Sequence, residues 1–237
     1  MKEIADLEST QILLFGVGQV PYKYAQTRDG TAQIKEHFKF KLAGNMPLTS
    51  ELVFEGGVAE GTGERATITR LQIGDRRMIL TVAADSATTE KVLEDLRKIL
   101  AGFDPASRFE KATPITHRHE TTCSATLDFD WRTLFNPVLA EFFESRVAKA
   151  TSDSEAGVSI SHATCRVTFS YSIKSELITQ SGITFSPKDF VVEPLASTPL
   201  AARRYFTASP TDSKMHLKLL EDLETALTRA PTKAKTK

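Results

Sequence analysis

Cysteine is nearly absent: the 237 residues hold two, Cys123 and Cys165. Two thiols make no disulfide framework and supply no paired ligand set for structural zinc. Both fall on the apolar side of expected strands, where reduced cysteine behaves as a small hydrophobe. An excess of either charge is missing too, since 30 basic and 30 acidic residues cancel. A neutral chain sets up no global field that would draw it to nucleic acid or an anionic membrane. No apolar run approaches the ~20 residues that cross a bilayer, and MKEIADLEST has no apolar signal core. The expectation is a soluble, non-secreted, cytoplasmic protein. Catalytic motifs are also lacking. There is no Gly-x-Ser-x-Gly elbow and no His-Glu-x-x-His helix. Gly16-Val17-Gly18 begins like a dinucleotide fingerprint, but Pro21 replaces the last glycine and no helix is expected to open there. Gly61-Thr62-Gly63 lacks the Lys-Ser/Thr of a phosphate loop. No cofactor is expected.

What the sequence does contain is an echo. RRMILTVAADSATTEKVLEDLRKIL starts at Arg76 and RRYFTASPTDSKMHLKLLEDLETAL at Arg203. At one offset (203 − 76 = 127) and without gaps, ten of twenty-five positions agree. Val92, Leu93, Leu96, Ile99, Leu100 and Phe103 form one stripe of a 3.6-residue helix. Leu219, Leu220, Leu223, Ala226 and Leu227 repeat it. Asp85-Ser86 and Asp212-Ser213 stand where side-chain oxygens cap a first turn. A short β-prone run precedes each helix, and a strand followed by a one-sided helix needs a sheet beneath it. Missing a repeat mis-assigns a fold, so an internal duplication is carried forward.

In chain order, residues 1–10 read as a short helix or loose arm. Gln11 to Val20 reads as a strand. Ile34 to Leu42 alternates, with Ile34, Phe38, Phe40 and Leu42 on one side and Lys35, His37, Lys39 and Lys41 on the other, which predicts a strand with a basic face. Glu51–Glu60, Ala66–Ile73 and Arg76–Ala84 are further strands, the last two turning at Gly74-Asp75. A helix closes this unit, residues 1–103, in which no early helix is legible. Residues 104–116 read as a linker. The second unit, 117–230, runs β-α-β-β-β-α: a strand at Thr122–Trp131, a helix after Asn136-Pro137, strands at Val158–Ile173, Ile183–Val192 and Arg203–Ala208, then the last helix. Residues 231–237 are a basic tail with no apolar anchor, expected to be disordered. The fold class is α+β: antiparallel sheets, each covered on one face by a helix. At the level of architecture alone, the second unit resembles helix-grip layouts of the START-like and TATA-binding-protein-like kind.

Candidate sites follow from residue chemistry. His117 and His119 alternate on a strand, so both imidazoles project to one side as candidate metal ligands; a third ligand must come from elsewhere. Asp128 and Asp130 form a carboxylate pair on the polar side of a strand. His162 and His216 read as solitary surface or boundary residues. Lys35, Lys39 and Lys41, with Arg76, Arg77, Arg203 and Arg204, are candidate anion or nucleic-acid contacts, although no basic-and-aromatic stripe of the single-strand-binding kind accompanies them. Trp131, Phe142, Phe143, Phe169 and Tyr171 are candidates to line an apolar pocket.

The leading reading is a non-enzymatic binding or scaffold protein, acting through sheet faces or edges and engaging a protein partner or a second copy of itself. The alternatives are a carrier for a small apolar ligand held between sheet and helix, a nucleic-acid-binding protein using the lysine face, and an enzyme built on His117, His119 and a carboxylate.

Overall fold

The structure is a computed structural model and describes residues 1–45, 51–60, 65–104, 109–134, 165–169 and 188–229. The chain is α+β, with antiparallel strands and few helices. By its internal contacts it divides into two units. The amino-terminal unit comprises Asp6–Thr121 with Thr211–Met215. The carboxy-terminal unit comprises Met1–Ala5, Thr122–Pro210 and His216–Lys237.

The amino-terminal unit contains β1 (Glu3–Leu14, here from Asp6), α1 (Tyr22–Ala25), α2 (Arg28–His37), β2 (Leu42–Asn45), β3 (Leu52–Ala59), β4 (Ala66–Ile73), β5 (Arg77–Val82), α3 (Ser86–Phe103) and the start of β6 (Thr116–Thr126). The strands lie in the order β2-β3-β4-β5-β1-β6. The first four pairings are antiparallel. Alternation sorts each strand's side chains. Leu52, Phe54, Ile68, Leu71, Ile73, Met78, Leu80 and Val82 turn inward and are buried with Val92, Leu93, Leu96 and Leu100 of α3. Fully burying one such side chain contributes about 1.5–3 kcal/mol, so this stripe is what holds α3 on the sheet. Asp85 caps α3, its carboxylate accepting from the Thr88 N–H at 2.7 Å.

Several expectations are corrected here. The stretch Ile34–Leu42 is not a strand: Ile34 to His37 is the last turn of α2, and Phe38 to Phe40 leave it through Lys39 at φ 51°. Thr27 starts that helix by accepting from the Gly30 N–H at 3.1 Å. The misreading has a simple cause. Gly30, Ile34 and Phe38 are buried four residues apart, a spacing that fits one face of a helix and one side of a strand equally well. The unit thus does have early helices. Residues 3–10 are likewise strand and not arm. Their polar Ser9 sits fully buried, as does Gln11, because Ser86 Oγ lies 3.1 Å from Ser9 Oγ and Gln11 reaches the Ser86 carbonyl. β1 also ends at Leu14, and Gly16 to Val20 is a turn. Within the stretch read as a linker, Phe109–Lys111 form a 3₁₀ turn. Phe109 is fully buried with its ring 5.1 Å from that of Phe15.

In the carboxy-terminal unit the strand order is β6-β9-β8-β7, with β7 at Cys165–Phe169, β8 at Lys188–Pro194 and β9 at Arg204–Ser209. The pairs β7–β8 and β8–β9 are antiparallel. Helix α4 (Ser213–Arg229) starts in the segment grouped with the first unit and continues here. Tyr205 donates its hydroxyl to the Phe129 carbonyl at 2.9 Å and stacks on that ring. The helix expected after Asn136 and the strand ends around 158–164 and 170–187 lie outside the described residues.

Candidate interaction surface

The side of the amino-terminal sheet opposite α3 carries the side chains left out of the core. Strand register sets them in rows. One row runs Gly44, Val53, Gln72, Ile79, Ile12 across β2, β3, β4, β5 and β1; the next runs Leu42, Glu55, Arg70, Thr81, Thr10. Leu42 is 63% exposed, and Glu55 and Arg70 are exposed. Val53, Gln72, Ile79 and Ile12 are half-buried. Thr10 and Thr81 meet hydroxyl to hydroxyl at 3.0 Å, and Thr69 donates to Glu8 at 3.0 Å. This face is therefore a mixture of branched aliphatic, hydroxyl and oppositely charged groups. Among the described residues of these two rows there is no aromatic ring. The phenylalanines of this unit's core, Phe15, Phe38, Phe40, Phe54 and Phe109, are all buried.

The lysine and arginine candidates do not converge on it. Lys35 is exposed on α2. Lys39 is bound to Glu60 at 2.6 Å, and that hydrogen bond holds the Glu60 carboxyl below its ordinary range. The stem of Lys41 lies beside Gly56. Arg76 donates to the Phe15 carbonyl. Arg77 grips both oxygens of Glu51 at 2.8 and 3.0 Å. In the other unit, Arg203 is paired with Asp128 and Arg204 opens β9. Asp128 and Asp130 lie beyond the end of β6, off the strand on which they were placed.

His117 and His119 do share one side of β6, their ring centroids 4.5 Å apart at an interplanar angle of 36°. His117 Nε2 is 2.9 Å from Gln11 Oε1 and 3.9 Å from Glu90 Oε2. Burial, then the neighbouring His119, lowers the His117 pKa. Among the described residues no group of three or more His, Cys, Asp or Glu side chains is placed to hold a metal ion.

The pocket candidates are mostly out of view. Trp131 opens a 3₁₀ turn and Phe169 closes β7; Phe142, Phe143 and Tyr171 lie outside the described residues, as does His162. In the amino-terminal unit the gap between sheet and helix is filled by phenylalanine and branched aliphatic side chains. A shallow cleft of about 470 Å³ lies on that unit's surface, lined by Gln33, Glu36, His37, Lys98, Ile99 and Gly102. The His37–Asp95 pair, 2.7 Å between ring nitrogen and carboxylate, ties α2 to α3 beside it.

His216 is a further correction. It is not a surface residue but fully buried. Its Nε2 is 2.9 Å from Thr207 Oγ1 and 3.5 Å from Cys123 Sγ, and its Nδ1 is 2.8 Å from Ser209 Oγ. Burial drives its pKa down to about 4. The Cys123 thiol, buried as expected, is pushed up by the same desolvation, which leaves it protonated and unreactive at neutral pH. The signal in sequence was its place in the stripe: His216 stands four residues before Leu220, which is also fully buried.

No protein-family model matches the chain, and no curated protein matches it. Among solved structures, Methanococcus jannaschii TBP is similar at a TM-score of 0.39 and 10% identity, over 95% of this chain and 98% of that one. Among the described residues, no helix is long and apolar enough to cross a membrane.

Proposed function

We propose that this chain is a non-enzymatic binding protein that acts through the outer face of its amino-terminal sheet. The observation that carries the reading is the pair of register rows just described. They set Leu42, Val53, Ile79 and Ile12 on a flank that the core does not use. Half-buried aliphatics interleaved with hydroxyls and balanced charge suit a protein surface, which needs a desolvated centre and a polar surround. A polyanion needs an excess of cations and, for single strands, stacking rings. Glu8 and Glu55 offset Arg70 on this face, and Phe206 is on the other unit's β9, so nucleic acid is the weaker reading. A carrier function has no support in the filled interior of the amino-terminal unit.

Site-specific photo-crosslinking in the expressing cell tests this. A benzophenone side chain at position 53 is expected to yield one discrete protein adduct. The same probe at position 33, on the helical side, is expected to yield none. Equal capture at both positions, or none at 53, overturns the reading.

The architecture is further read as two copies of one unit. In support, the 127-residue offset of the sequence echo carries Ser86 onto Ser213, and these two helix-opening serines exchange hydrogen bonds. Each backbone N–H donates to the other's hydroxyl, at 3.0 and 2.7 Å. The early helix α2 gives the first copy the element that its sequence reading lacked.

A further inference from the structure

We infer that the partner on the outer sheet face is a second copy of this chain, in a two-fold contact where each copy presents the same patch. This rests on the open-face reading and names its occupant. Charge arrangement points to self-pairing. Glu55 on β3 and Arg70 on β4 are register partners on adjacent strands, and both are exposed. A two-fold axis parallel to the strands and midway between β3 and β4 lays each Glu55 over the Arg70 of the other copy. An isologous interface requires this kind of self-complementary pattern. The same operation brings Val53 over Gln72 and sets Leu42, which is 63% exposed, over Thr81 on β5 of the other copy.

The net charge of the whole chain adds to this. With 30 positive and 30 negative side chains, two copies approach without the mutual repulsion that keeps strongly charged proteins apart. A partner of strong opposite charge would find no field to complement. A second copy is neutral in the same way and carries the matching acid and base at the matching places.

Sedimentation equilibrium of the full chain tests the inference, with Glu55→Arg, Arg70→Glu and the double charge swap beside the natural sequence. The natural chain is expected to reversibly reach twice its 26.1 kDa. Each single reversal sets like charges face to face and is expected to weaken association at least about tenfold; the double swap restores it. Circular dichroism checks folding. Leu42→Glu, at an exposed position, gives the same loss without touching the core should a charge variant fail to fold.

A natural chain that stays at monomer mass at all concentrations overturns the inference. So does a dimer indifferent to all four variants. The crosslinking experiment separates the two failures. An adduct from position 53 of mass other than the doubled chain, with a monomer in sedimentation, removes the second copy and leaves the face reading intact. No adduct removes both.

Discussion

His216 shows how a single ionisable side chain writes a pH dependence into the carboxy-terminal unit. Its three partners, Thr207, Ser209 and Cys123, are all uncharged, so nothing nearby compensates a proton. The folded pKa near 4 lies below the value of about 6.5 for an unfolded chain. Between those values the unfolded state binds more protons, so stability falls as the solution is acidified. The contribution is fully present above about pH 6.5, declines as pH falls, and is gone below about pH 4. Two and a half pK units correspond to on the order of 3 kcal/mol. Urea unfolding at pH 7 and pH 4 should show that loss, and a His216→Gln variant should show a shallower slope; equal slopes would assign the acid sensitivity elsewhere. Gly57 makes a steric prediction at the same scale. A Cβ there meets the Phe40 ring at 2.5 Å and the Phe38 carbonyl at 3.0 Å. Gly57→Ala should therefore cost about 1–3 kcal/mol of stability through forced repacking, read as a lower urea midpoint. An unchanged midpoint would mean that the turn after α2 yields freely.

At the level of elements, α2 depends on its cap. Thr27→Ala removes the acceptor for the Gly30 N–H and should cost about 1 kcal/mol, while Thr27→Ser should cost little; equal losses would contradict the capping role. The same helix marks the limit of what sequence pattern can tell. Helix α3 was legible because its stripe continues for three turns behind an Asp cap. β3, β4 and β5 were legible from alternation and turn residues. In and just after α2 the diagnostic burial falls at Gly30, Ile34 and Phe38, where helical and strand periods coincide, and Lys35, His37, Lys39 and Lys41 completed a false alternation. The first part of β1, read as a helix or arm, was missed for a different reason. The buried Ser9 and Gln11 are polar, satisfied by Ser86 and, at Gln11, also by His117, both distant in sequence. A pattern that looks for apolar residues cannot see a core position solved by hydrogen bonds. His216 was hidden in the same way. The candidate surface was not read from the sequence: β3 and β5 were legible as strands, but only the register places Val53 and Ile79 in one row with Ile12 and Gln72.

For the molecule as a whole, the proposed function rests on the outer face of the amino-terminal sheet. The inner face of that sheet is closed by α3 and by a run of buried phenylalanines, so the proposed binding surface is the outside of this unit. There the apolar side chains are neither numerous enough to force aggregation nor so sparse as to be incidental. The most direct measurement is the solvent paramagnetic relaxation of methyl groups across protein concentration, with a soluble gadolinium probe. If two copies meet through the outer face, the methyls of Leu42, Val53 and Ile79 should lose relaxation enhancement together as concentration rises. Val17, 76% exposed on the turn after β1, should stay unchanged. Enhancement at the three outer side chains that is independent of concentration, or a loss at Val17 in their place, would contradict it.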